Sequence, residues 1–103
     1  MKVYNKLVRD NIPAIIESTG KKFTCHIASD EEYQEKLQEK LLEEVNEFLE
    51  DPSLEEMVDV FEVLGTLLWN MGYSEADFDR ARDEKNFKRG AFDSRIILES
   101  VEE

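Results

Sequence analysis

An all-α fold, an antiparallel helical hairpin bundle of about four helices completed by oligomerisation, follows from three features of the sequence. Apolar residues recur at helical spacing over two long runs. A Ser-x-x-Glu signature precedes each run. Between them, Asp51, Pro52 and Ser53 leave room only for a tight turn.

The first helix is expected from about Asn11 to Ser18, because Pro13 is tolerated in a first turn and Gly20 marks a stop. Phe23–Ala28 and Arg95–Leu98 are rich in β-formers and can pair into a small two-stranded β element. Ser29 with Glu32 opens a long helix from Asp30 to about Glu50, with Tyr33, Leu37, Leu41, Val45, Phe48 and Leu49 on its apolar side. Ser53 with Glu56 opens the next, which reaches Asn70 or Met71 before Gly72. Apolar residues lie on all its faces, so burial nearly all round is expected, at the centre of a core or dimer interface. Ser74 caps a last helix through about Phe87.

At 103 residues the chain fits one domain, residues 1–103, since domains typically run to about 100–150 residues. So small and so charged a chain is expected to share apolar surface with further copies, as a homodimer or homotetramer. Its single cysteine, Cys25, excludes an intramolecular disulfide and is read as structural, with His26 beside it as a surface strand residue. No stretch suggests a leader or a membrane span, so a cytoplasmic protein without membrane partners is expected. A net charge of -12 opposes binding to nucleic-acid polymers. That charge is unevenly placed. Residues 1–22 carry five basic and two acidic side chains, and residues 85–95 four and one, whereas residues 23–84 carry four and nineteen. An acidic centre between two cationic segments suits a cation and an anion bound together.

Glu44 and Glu47 lie three apart on one long helix, and Glu56 and Asp59 three apart on the next, so each pair shares a face. If the hairpin turns about Asp51 and Pro52, residues whose numbers sum to about 103 stand at one level, as Glu47 with Glu56 and Glu44 with Asp59 do. Four converging carboxylates repel one another unless a hard divalent cation holds them, and an oxygen-only set suits magnesium or manganese. Asp59 interrupts an apolar run, where it is costly to bury unless paired or metal-bound. Glu56 has a competing role as the third residue of the Ser53 cap. Glu43, one position before the main pair, is a candidate general base or a support for the ligands from just outside the metal's own coordination. A di-iron bundle lacks its Glu-x-x-His motifs, and no Asp-x-Asp-x-Asp-Gly calcium loop is present.

KLLEEVNE at Lys40–Glu47 followed by EMVD at Glu56–Asp59 resembles the paired EExxE and ExxD motifs of MazG-like nucleoside triphosphate pyrophosphohydrolases. With YNKLVRDNIP at Tyr4–Pro13 and EKNFKRGAF at Glu84–Phe92, the likeness extends over nearly the whole chain, and the last piece is similar to phosphoribosyl-ATP pyrophosphohydrolases. The resemblance implies magnesium-dependent hydrolysis between the α- and β-phosphates to a monophosphate and pyrophosphate, as in nucleotide-pool house-cleaning. It also implies metal ligation by Glu44, Glu47, Glu56 and Asp59, and a helical dimer or tetramer. Lys6, Arg9, Lys85, Lys88 and Arg89, in the two cationic segments, are the candidates for phosphate contacts. The chain departs from the family in its short hairpin, in Ala91 where relatives often have glycine, and in Asn11 where lysine is common. A non-catalytic acidic helical interaction module is the competing reading.

Overall fold

The computed structural model describes residues 2–102, and among them the fold is all-helical. Four helices follow in order: α1, Ile12–Ser18; α2, Asp30–Glu50; α3, Leu54–Asn70; and α4, Glu75–Arg89. None is long and apolar enough to cross a membrane. The β element expected from Phe23–Ala28 and Arg95–Leu98 does not form among the described residues. Both segments are irregular and largely exposed, and without a cross-strand partner β propensity fixes nothing.

Three serine caps set the long helices. Ser29, Ser53 and Ser74 each accept a bond from the backbone N–H three residues on. Their side chains then diverge. Only Ser74 is in a reciprocal box, with the Asp77 carboxylate accepting from the Ser74 N–H at 2.9 Å. At α2 the Glu32 carboxylate instead meets His26 Nε2 at 2.8 Å. α4 ends at Gly90, whose φ of 78° is a left-handed conformation that glycine adopts freely.

α2 and α3 pack along each other as an antiparallel hairpin, while α4 touches α3 sparsely and extends the molecule to 61 × 31 × 28 Å. Near the end remote from the turn, Asn70 Nδ2 donates to Gln34 Oε1 at 2.6 Å, so the expected register holds over the hairpin's length. The core is small: Leu37 from α2 and Val60 and Val63 from α3. Contrary to expectation, α3 is not buried all round in the single chain. It buries one face against α2, and Leu54, Val58 and Phe61 stand in solvent.

Candidate metal centre

The deepest polar residue belongs to the α2 core stripe. Glu44 sits seven residues after Leu37, two helical turns along the same face, and the two are 6% and 1% exposed. A carboxylate where the spacing calls for an apolar side chain is a signal of the site that the sequence carries at Glu44 as well as at Asp59. Asp59 is only half-buried. Its apolar-run position is compensated by an ion pair: Arg9 donates to Asp59 Oδ1 at 2.6 Å.

Across the hairpin, Glu44, Glu56 and Asp59 bring one carboxylate oxygen each within 4.8 Å of one another. Two oxygens here, Glu44 Oε2 and Glu56 Oε2, are buried without a hydrogen-bond partner. The Glu56 geometry separates site from cap. Its backbone N–H donates to Ser53 Oγ at 3.3 Å, but its carboxylate is not engaged in a reciprocal box as that of Asp77 is. Burial pushes the Glu44 carboxyl above its usual range; the hydrogen bond and charge of Lys40 offset part of this, and the negative charges of Glu47 and Asp59 add to it. Glu56 is raised too, by burial and then by repulsion from Asp59 and Glu44. Two carboxyls held above their usual range, each with a buried unpaired oxygen, belong to a group that could hold a cation.

Glu47 is exposed and outside the three-residue group, although near enough for its charge to act on Glu44. Glu43 faces a different set of partners: Lys6 Nζ lies 2.9 Å from Oε1 and Lys40 Nζ 3.5 Å from Oε2. Burial raises the Glu43 pKa, but the two lysines outweigh it and hold the carboxyl below its usual range, a poor setting for a general base. In return Glu43 heads the influences that raise the pKa of Lys6.

The N-terminal segment therefore lies over the acidic hairpin, tethered by Lys6 to Glu43 and by Arg9 to Asp59. An open groove of about 510 Å³ runs beside the cluster, lined by Arg9, Leu54, Glu55, Glu56, Val58 and Asp59. The second cationic segment is not brought here: Lys85, Lys88 and Arg89 form no ion pair among the described residues, and α4 does not pack on α2. Cys25, expected to be structural, is exposed, and His26 lies in irregular chain rather than a strand.

No family model, curated protein or solved structure matches the chain. What the fold and the site define together is a helical-hairpin protein with an acidic cluster able to hold a metal ion and an arginine already placed at its edge.

Proposed function

We propose that the chain is a divalent-cation-dependent nucleoside triphosphate pyrophosphohydrolase of the MazG-like kind, acting as a homo-oligomer. The observation that carries the reading is the pair of buried, unpartnered oxygens on Glu44 and Glu56, two members of a three-carboxylate group that spans the hairpin. A purely structural pair would leave that cost uncompensated. An acidic interaction module has no use for it.

Glu44, Glu56 and Asp59 would hold the ion, and Glu47 would join them by turning inward from its exposed position. When bound, a hard divalent ion such as magnesium or manganese neutralises phosphate charge and acidifies water. Arg9 then leaves Asp59 for a phosphate oxygen, where its planar fork can bind two acceptors at once. Lys6, held by Glu43, adds positive charge on the same side. In the reaction the oxygen of water forms a bond to one of the two bridged phosphorus atoms, the α–β anhydride bond breaks, the electron pair of that bond stays on the departing oxygen, and the water's protons pass to that oxygen and to bulk solvent, giving the nucleoside monophosphate and pyrophosphate. Leaving-group charge falls on Arg9 and Lys6. Glu43 acts as the positioning residue for Lys6.

The test is pyrophosphate release from a panel of nucleoside triphosphates with and without magnesium. Activity that vanishes in Glu44→Gln and Asp59→Asn, with helicity retained, supports the reading. Unchanged activity in both variants, or release indifferent to chelator, sinks it. Magnesium or manganese that fails to raise the melting temperature would favour the interaction module.

A further inference from the structure

Every residue assigned to the reaction acts on the metal ion or on phosphate, and the nucleoside is left without a contact. The groove beside the acidic cluster offers it aliphatic walls, carboxylates and Arg9, but no aromatic ring for a base to stack on. The N-terminal segment carries such a ring. Tyr4 is 62% exposed, and positive charge gathers over it, with Lys2 Nζ 5.1 Å and Lys6 Nζ 5.8 Å from the ring centre.

The ring is tied to the site. The Lys6 ammonium that lies over it also meets Glu43 Oε1, so two steps of 5.8 and 2.9 Å join the ring centre to the carboxylate next to Glu44 on α2. Asn5, between Tyr4 and Lys6, holds φ at 47°, in the left-handed region that asparagine enters at lower cost than most side chains, and the chain bends at Lys6. With that kink, Lys6 reaches the ring and the hairpin at once. Further along, Arg9 stands at Asp59, five residues from Tyr4, a stretch of chain that spans at most about 18 Å. Flat aromatic surface at one end and phosphate-binding charge at the other match the two ends of a nucleotide.

We propose that Tyr4 is the nucleobase platform of the site: the base of the nucleoside triphosphate stacks on its ring, displacing an ammonium group that then turns to the phosphates. The proposal rests on the hydrolase reading for its class of substrate and supplies the contact to the nucleoside that the reading lacks. A ring face senses π-surface and not the hydrogen-bonding edge of a base, so the platform accepts every base and favours the larger purines over pyrimidines. A triphosphate without a nucleoside gains nothing from it. Because the contact is to a part of the substrate that does not react, it is made equally before and during the chemical step and acts on KM, not on kcat.

Titration calorimetry of the full chain in magnesium tests it, with inorganic triphosphate and the α,β-methylene analogues of adenosine and cytidine triphosphate, whose α–β link resists cleavage. Tyr4→Ala should weaken the adenosine analogue by about five- to 150-fold and the cytidine analogue by less, and leave inorganic triphosphate within about twofold of wild type. Tyr4→Phe, which keeps the ring and loses the hydroxyl, should bind all three as wild type does. In pyrophosphate release from the cleavable nucleotides, the same loss should appear in KM with kcat kept. Equal weakening of all three ligands in Tyr4→Ala overturns the proposal, because the ring then only seats the N-terminal segment. So does an unchanged affinity for the adenosine analogue, or a loss that Tyr4→Phe does not restore. The predicted binding pattern without any release of pyrophosphate by wild type would sink the hydrolase reading and leave the platform standing, whereas wild type that binds none of the three overturns both.

Discussion

Replacing Glu44 with glutamine should make the metal-free protein more stable and deaf to divalent cations. In the folded chain, one Glu44 oxygen is buried without a partner, a deficit of about 1–3 kcal/mol. Glutamine keeps the shape, removes the charge and offers an N–H₂ that Glu56 or Asp59 can accept from. Against this, the Lys40–Glu44 pair at 3.2 Å is lost, a within-helix pair worth roughly 0.3–0.5 kcal/mol, and Lys40 retains Glu43. The net gain is about 0.5–2.7 kcal/mol, which for a domain of this size raises Tm by roughly 2–22 °C. The wild type, by contrast, should gain about 2.7 kcal/mol when magnesium or manganese is at a hundredfold excess over its dissociation constant. Calorimetry of both proteins, in chelator and in titrated metal, should therefore show the order of stability narrowing or inverting as the ion is added. A variant less stable than wild type in chelator, or one with an undiminished response to the ion, would refute the idea that Glu44 is held at a cost for a cation.

Arg9→Gln should tighten divalent-ion binding while slowing pyrophosphate release. Arg9 competes for Asp59 through a half-exposed pair worth at most about 1 kcal/mol, so calorimetric affinity should rise by up to about fivefold; weaker ion binding would remove Arg9 as a competitor. Stability should also depend on pH with opposing signs. Glu44 and Glu56 have folded pKa values above the unfolded 4.5, so their contribution is complete below pH 4.5 and is lost as pH rises through the raised values. Glu43 and Asp77, both lowered, contribute above unfolded values of 4.5 and 3.8 and lose that contribution as pH falls through the folded ones. The stability advantage of Glu44→Gln should accordingly grow as pH rises from 4.5, and a pH-independent difference in metal-free denaturant titrations would count against the burial argument. Ser53→Ala should cost about 1 kcal/mol through loss of the α3 cap and also weaken ion binding, because the same turn places Glu56. Ser74→Ala should cost a similar amount without touching ion affinity.

The hairpin was legible because local chemistry decided it. Ser29, Ser53 and Ser74 marked all three long-helix starts, and the turn at Asp51–Ser53 fixed a register that Gln34 and Asn70 still obey at the far end. The site was legible as a group of carboxylates but not in its inner order. Which oxygen lies deepest depends on the rotation of α2 about its axis, readable only by noticing that Glu44 continues the Leu37 stripe. Arg9 was legible as a phosphate candidate, whereas its ion pair with Asp59 was not, because a pairing across fifty residues leaves no periodic trace. The β ribbon failed for the opposite reason: propensity was present in Phe23–Ala28 and Arg95–Leu98, and tertiary pairing was not.

The turn between α2 and α3 has a consequence for how such a chain can change. Surface loops ordinarily absorb insertions, because lengthening them costs little entropy. Here one inserted residue between Asp51 and Ser53 need not disturb either helix, yet any slip of α3 it allows moves Glu56 and Asp59 by about 1.5 Å along the axis and turns them by about 100° relative to Glu44. The loop acts as a gauge whose length is read out by three carboxylates. Insertions should be borne instead in residues 19–29 and 90–102, where nothing in the acidic cluster depends on the count.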